Sequence, residues 1–166
     1  MTLLLWTFQP LDRIAELERT GRMRGSWEWV SPGFETRSYE AMVAAMARAG
    51  IDTDGRPPVW AWSGRCGVTL DDAESLLGSY GLLQGCATIE FEAPAARCLA
   101  SDYGAWNDFQ FALHSGGEAP PTWDVPTPVA DELVQVCLPE LRREWVREVR
   151  ALPRRLTAAD DRLRPA

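Results

Sequence analysis

Tryptophan and amide side chains suited to holding a planar ring recur along the chain. Trp60 and Trp62 are two residues apart, a spacing that places both indoles on one face of a β-strand. Two such rings could form a stacking wall for a base or a nicotinamide, although large aromatic side chains more often pack in a core. The residues predicted to bind a ligand in an aromatic and acidic cleft are Gln9, Trp60, Trp62, Ser63, Glu92, Trp106 and Asn107.

Carboxylates are the candidates for acid–base chemistry. Glu90 and Glu92 share one face of a predicted strand, so their carboxylates could converge on a sugar or a water molecule. The solvent-facing side of an antiparallel sheet is the alternative. Asp102 precedes a predicted helix, where a charge at the helix start is the ordinary interpretation. Glu90 and Asp102 are the predicted catalytic residues if the protein is an enzyme, and whether it is one stays open.

Composition excludes several classes of site. All 17 basic residues are arginine, so the chain has neither a lysine for Schiff-base chemistry nor the lysine of a phosphate-binding P-loop. His114 is the single histidine, which excludes multi-histidine zinc and iron sites, and no metal is predicted. The net charge of -7 disfavours a broad nucleic-acid surface, because an acidic body repels phosphate backbones.

The cysteines and the apolar runs indicate the cellular compartment. Cys66, Cys86, Cys98 and Cys137 form no C-x-x-C pair, and the first residues lack the regions of a signal peptide. No apolar run reaches the ~18 residues of a membrane span. We therefore predict a cytoplasmic protein without membrane contact, whose thiols stay reduced and mostly buried. A catalytic pair of Cys98 or Cys137 with His114 is the alternative.

The spacing of apolar residues places the candidate residues on helices and strands. Strands are predicted over residues 3–9, 59–62, 86–93 and 97–100. In residues 86–93, Ile89 and Phe91 fall on one face and the two glutamates on the other. Helices are predicted over residues 10–20, 38–49, 69–77, 103–113, 130–138 and 140–152. An aromatic loop over residues 22–37 and a proline-rich crossing over residues 115–128 connect them.

These elements predict one α+β domain over residues 1–152. Its sheet is small, mixed or antiparallel, with about four or more short strands, and it packs with five or six helices. Residues 153–166 are predicted to be a mobile, Arg-rich tail.

Four segments give the chain a family resemblance. They are LLWTFQ (residues 4–9), PVWAW (58–62), TIEFEAP (88–94) and SDYGAWN (101–107), in that order. Together they resemble the bacterial domain-of-unknown-function family 3841 over nearly the whole chain up to the segment around Trp145. The chain departs from the family pattern at residues 107–110. The resemblance implies a related fold and brings no established activity.

Two functions follow from these features. In the first, the protein is a binding domain for a small molecule or a protein partner, using the cleft or the aromatic loop from Trp27 to Phe34, and a homodimer is compatible with it. In the alternative, the opening strand, the helix that follows it and the short strand ending at Ser63 resemble the start of ADP-ribosyltransferases. That resemblance implies NAD or a related nucleotide, with Glu90 as the carboxylate. Thr7 stands where many such enzymes have His or Arg.

Overall fold

A computed structural model describes residues 1–63, 85–115, 122–126 and 134–151 of the chain. Within these ranges the α-helices are α1 (Leu11–Thr20), α2 (Phe34–Arg48) and α3 (Tyr103–His114). The strands are β1 (Thr2–Pro10), β2 (Arg22–Met23), β3 (Val59–Ser63), β4 (Cys86–Pro94), β5 (Leu99–Asp102), β6 (Val134–Leu138), β7 (Leu141–Arg142) and β8 (Val146–Ala151). Short 3₁₀ turns span Trp27–Trp29, Ala95–Arg97 and Arg143–Trp145.

Six of these strands form one antiparallel sheet in the order β5-β6-β3-β1-β4-β8, and β2 pairs with β7 separately. β1 pairs with β4 along its whole length, from Thr2↔Pro94 to Pro10↔Cys86. On its other side, β1 pairs with β3 only at Leu5↔Ser63 and Trp6↔Trp62. β1 is therefore fully paired on the β4 side, which we call the closed side. It is only partly paired on the β3 side, the open side, where the two strands separate towards the end of β1.

One face of the sheet packs against α1 and the β2-β7 ribbon. Side chains alternate across a strand, so Leu5 of β1 shares this face with Phe91 of β4. The buried members of this core are Leu5, Leu17, Met23, Val59, Ala61, Ile89, Phe91, Ala93, Val136, Leu138 and Leu141.

The opposite face, over β3, β6 and β5, is covered by α2 and α3. Trp60, Cys137 and Leu99 are cross-strand partners on this face. The buried members of this second core are Met42, Ala45, Met46, Ile51, Trp106, Phe109, Leu113, Trp123 and Cys137. A sheet with an apolar core on each face can position side chains at its open end with little freedom.

Two helices begin without a connecting loop. α1 starts at Leu11, directly after β1, and α3 starts at Tyr103, directly after β5. Gly21 ends α1 with φ of 77°, a left-handed conformation that glycine adopts without steric cost, and its N–H donates to the Leu17 carbonyl at 2.9 Å. The predicted stop of this helix is confirmed.

The predicted α+β class and the antiparallel sheet are confirmed, whereas the described residues do not support five or six helices. The described part of the chain has three α-helices. Residues 130–138 and 140–152 were predicted as helices, whereas β6, β7 and β8 occupy the described portions of both segments. Their apolar residues fit helical spacing, yet Val134–Leu138 pairs with β3 and β5 on both sides. Pairing with distant strands overrides a local pattern of this kind.

Other predicted boundaries differ from the observed ones by a few residues. α2 begins at Phe34, four residues before the predicted start, and the strand predicted at residues 97–100 is β5, which runs from Leu99 to Asp102. The helix predicted over residues 69–77 and the tail over residues 153–166 lie outside the described residues. Within the described ranges, no helix has the length and apolar character required to cross a membrane.

Candidate ligand-binding site

A cavity of about 450 Å³ lies where β1 and β3 separate. Beyond the Trp6↔Trp62 pair, the Thr7 hydroxyl donates a hydrogen bond to the Trp60 carbonyl oxygen at 2.6 Å. A side chain thus links the two strands beside the cavity. Its walls come from β1, β3, β6, α1, α2, α3 and the segment that leads to the first 3₁₀ turn. The residues that line it include Gln9, Arg13, Arg24, Gly25, Trp29, Glu35, Tyr39, Pro57, Trp60, Trp62, Tyr103, Trp106, Asn107, Gln110 and Gln135.

One face of α3 forms a wall of this cavity. The face consists of Tyr103, Trp106, Asn107 and Gln110, whose separations of three and four residues match the helical repeat. The rotation of α3 is set at its first turn, where Asp102 Oδ1 accepts a hydrogen bond from the backbone N–H at position 105 at 2.6 Å.

Aromatic rings pack into a continuous wall. The Trp60 ring lies 5.0 Å from Trp106 and 5.4 Å from Tyr39 between centroids. The Trp62 ring meets Tyr103 edge-on, at 4.8 Å and 85°. These spacings fall in the preferred range for aromatic pairs. The wall continues through Trp106 into the second core, so the rings are held in place before any ligand arrives.

Glutamine side chains supply polar groups in the same cavity, and each donates its amide N–H to a hydroxyl. Gln9 donates to Thr7 at 2.9 Å. Gln110 of α3 donates to Ser38 of α2 at 3.2 Å. Gln135 of β6 donates to Ser101 of β5 at 2.9 Å. The amides are therefore fixed by neighbouring elements and do not rotate freely into solvent.

Arg13 and Trp29 lie together at the edge of the cavity. The Arg13 guanidinium donates to the Glu16 carboxylate and to the Arg24 carbonyl oxygen, and its central carbon lies 3.8 Å from the Trp29 ring centroid. Burial lowers the pKa of Arg13, which Glu16 partly offsets. Trp29 is 58% exposed and lines the cavity, so it forms part of the mouth.

Glu35 and Tyr39 are four residues apart on α2 and face the cavity together. Glu35 Oε2 accepts a hydrogen bond from the Ser31 N–H at 3.0 Å. Burial raises the pKa of Tyr39 to about 12, and Cys137 and Glu35 add to the shift. The Tyr39 hydroxyl consequently keeps its proton near neutral pH.

The chain matches no protein-family model, no curated protein and no solved structure. The resemblance to the domain-of-unknown-function family 3841 therefore stays a prediction. Among the described residues, no three His, Cys, Asp or Glu side chains lie together in a way that could hold a metal ion.

The structure brings together five of the residues that the sequence analysis selected: Gln9, Trp60, Trp62, Trp106 and Asn107 all line this cavity. Trp60 and Trp62 share one face of β3, as predicted, and they both line the cavity and pack against rings. The two tryptophans therefore pack against core rings and also line a cavity.

The other selected residues lie elsewhere. Ser63 faces the opposite side of the sheet from Trp62 and lines a different cavity, of about 360 Å³. Glu90 and Glu92 form ion pairs with Arg150 at 4.0 Å and Arg147 at 2.5 Å. Glu90 shares a sheet face with Trp62, but it lies two strands away, with Trp6 between them. Neither glutamate supplies a carboxylate to the aromatic cavity.

Asp102, the second predicted catalytic residue, caps α3 and does not line the cavity. This matches the alternative interpretation of a charge at a helix start. Of the cysteines, Cys98 and Cys137 have free thiols. Burial raises the pKa of Cys98 to about 11 and that of Cys137 well above its usual value. A nucleophilic cysteine needs the opposite shift, so both thiols fit a packing role.

Several cavity residues escaped the sequence analysis. Gln110 had a usable signal, because it lies four residues after Trp106 on the same helix. Tyr39 lies in the helix predicted over residues 38–49, where a single tyrosine gives no functional signal. Gln135 gave no signal, since its segment was interpreted as a helix. Thr7 was noted only as a difference from another family.

Proposed function

We propose that the protein binds a small planar molecule in the cavity between β1 and β3. The observation that carries this proposal is the union of an aromatic wall with fixed amide side chains in one cavity of about 450 Å³. Ligand sites in proteins are typically about 300–1,000 Å³, mostly apolar, with a few convergent polar groups. The rings would cover the faces of the ligand, and the amides would bind its edge.

The cavity is held in shape without a ligand. Gly25 lies against the loop before β3, where an added Cβ would lie 2.1 Å from the Pro57 carbonyl oxygen. Both residues line the cavity, so this close backbone approach fixes part of its rim. A preformed site loses less conformational entropy on binding, which favours affinity for a small ligand.

The arginines of the cavity do not favour a polyphosphate ligand. Arg13 pairs with Glu16, and Arg24 pairs with the buried Glu140 at 3.0 Å. Both guanidinium groups that line the cavity are thus already neutralised by carboxylates. A site for a polyphosphate would be expected to present cations without such partners.

Thermal-shift and tryptophan-fluorescence titrations with nucleobases, nucleosides and aromatic amides test the proposal. A ligand at a hundred times its Kd stabilises a protein by about 2.7 kcal/mol, which gives a measurable rise in Tm. Trp60→Phe should weaken binding. Trp27→Phe, in a residue that does not line the cavity, should leave it unchanged. Equal loss in the two variants, or no response to any member of the panel, would contradict the proposal.

A second candidate is an ADP-ribosyltransferase-like enzyme that acts on NAD. It is favoured by one observation, the presence of the Glu35 carboxylate in the wall of an aromatic cavity. Such a carboxylate can stabilise positive charge that develops as the bond to nicotinamide breaks. Release of nicotinamide from NAD, measured by chromatography, should then disappear in Glu35→Gln and persist in Glu90→Gln. Absence of turnover in the unmodified protein would exclude this candidate.

A further inference from the structure

The orientation of the Gln9 amide is fixed by the hydroxyl that it contacts. The Thr7 hydroxyl donates its hydrogen to the Trp60 carbonyl oxygen at 2.6 Å. A hydroxyl carries one hydrogen, so towards Gln9 it can only accept. The Gln9 atom 2.9 Å from Thr7 must therefore be the amide nitrogen, and the amide oxygen occupies the other branch of the side chain.

Gln110 is fixed in the same way from a different element. The Ser38 hydroxyl donates to the Glu35 carbonyl oxygen at 2.8 Å within α2. Its oxygen can then only accept from Gln110, whose amide nitrogen lies 3.2 Å away. Rotating either amide by half a turn would place two acceptors against each other and would lose the hydrogen bond.

These constraints fix which branch of each amide carries its oxygen, and both glutamines line the cavity. Gln9 belongs to β1 and Gln110 to α3, so the oxygens belong to different walls. Within the described residues neither oxygen has a hydrogen-bond partner. A polar acceptor that loses water without gaining a donor is costly, so a ligand that fills the cavity is penalised unless it supplies N–H groups.

We propose that the cavity selects planar molecules that carry N–H donors on two edges, such as amino-substituted nitrogen heterocycles. One donor would meet the Gln9 oxygen and the other the Gln110 oxygen. Rings of the same size without these donors bind more weakly. This inference rests on the proposed function, since it specifies the ligand of that same cavity.

Three probes with one ring system measure the effect. All three carry a 9-methyl group, which removes the ring N–H: 9-methylpurine has no exocyclic amine, 9-methyladenine has one and 2,6-diamino-9-methylpurine has two. We expect Kd, from fluorescence titration or calorimetry, to fall on the order of 2- to 10-fold for each added amine that meets an acceptor. Nicotinamide and methyl nicotinate form a second pair, in which the amide should bind more tightly than the ester.

Variants assign the preference to the two glutamines. Gln9→Leu and Gln110→Leu each remove an acceptor, so the preference for amine-bearing purines over 9-methylpurine should shrink. Asp108→Asn, in an exposed residue of α3 that does not line the cavity, is the matched control and should keep the preference. Ser38→Ala is a milder change that retains Gln110 but releases its amide, so the same preference should decline.

The outcomes separate the two proposals. Equal Kd values for the three purines, and for the nicotinamide pair, would overturn the donor rule and leave the binding function standing. A preference that survives in Gln9→Leu and Gln110→Leu would also overturn it, because donor recognition would then lie elsewhere. Binding of none of these five probes would contradict both the proposed function and the inference that rests on it.

Discussion

The two sides of β1 differ in how much of the strand pairs with its neighbour. Towards β4, β1 keeps its register from Thr2↔Pro94 to Pro10↔Cys86. Towards β3, the register ends at Trp6↔Trp62, and a threonine hydroxyl provides the next link. On the closed side the backbone satisfies its own hydrogen bonds. On the open side, side chains take over this task beside a cavity.

The polar groups on the two sides differ as well. Glu90 and Glu92 on the closed side form ion pairs with partly exposed arginines of β8. On the open side the glutamine amides bind hydroxyls and carry no charge. Charged pairs suit a solvated surface, whereas neutral groups can be buried beside aromatic rings at lower cost.

The largest effect is expected from the closed side. Phe91 of β4 is fully buried in the first core, so Phe91→Ala should lower the free energy of unfolding by about 3–5 kcal/mol. Urea denaturation measures this change. Phe111→Ala, in a residue that is 70% exposed, should change it by less than about 0.5 kcal/mol. A loss below about 1 kcal/mol in Phe91→Ala would show that β4 is not a core strand.

A pair of threonines compares the two sides directly. Thr7→Val removes the hydroxyl that links β1 to β3 and orients Gln9, so it should cost about 1–3 kcal/mol of unfolding free energy. Thr88→Val makes the same change in a buried residue of β4, whose hydroxyl has no hydrogen bond to another described residue. It should be nearly neutral. Equal losses of unfolding free energy in the two variants, measured by urea denaturation, would show that the Thr7 hydroxyl contributes no more than the Thr88 hydroxyl.

The pKa of Tyr39 predicts how stability responds to alkaline pH. Because the pKa is about 12 in the folded protein and the ordinary value is 10.0, the unfolded chain releases this proton first. The contribution of Tyr39 to stability is therefore fully present below pH 10 and is lost as the pH rises towards 12. Denaturation curves at several alkaline pH values should show a steeper decline in the unmodified protein than in Tyr39→Phe. Parallel declines would contradict the assignment.

The smallest effect is expected for the surface ion pairs of the closed side. Glu92 and Arg147 are both partly exposed, and pairs of this kind usually contribute about 0–1 kcal/mol. Glu92→Gln should therefore shift the urea midpoint only slightly, and added salt should reduce the shift. A loss of several kcal/mol would mean that the closed side depends on its surface ion pairs as well as on its buried core.

Local signals predicted two strands of the sheet. Residues 59–62 form a short apolar segment, residues 86–93 alternate between apolar and polar side chains, and both are strands in the structure. The first of them carries Trp60 and Trp62 of the aromatic wall. β6 and β8 were missed because their apolar residues fit a helix equally well, and only pairing with distant strands decides between the two. Local sequence does not contain that information.

In the candidate site too, features formed by neighbouring residues could be predicted, whereas contacts between distant segments could not. Trp60 and Trp62 could be selected because they are neighbours in one strand. The roles of Thr7 and Gln110 depend on Trp60 and Ser38, which are 53 and 72 residues away in the sequence. Glu90 and Asp102 had suitable chemistry, but nothing in their spacing revealed that β4 and the start of α3 place them outside the cavity.

The direct passage from β5 into α3 limits which changes of chain length the protein tolerates. Asp102 ends the strand and Tyr103 begins the helix, so strand register and helix rotation are coupled. Inserting or deleting one residue in β5 would turn α3 by about 100°, given 3.6 residues per turn, or would shift the strand against β6. Gln110 and Tyr103 would then leave the cavity wall. Substitutions in β5 can be absorbed one at a time, whereas insertions and deletions there would change every contact that α3 makes.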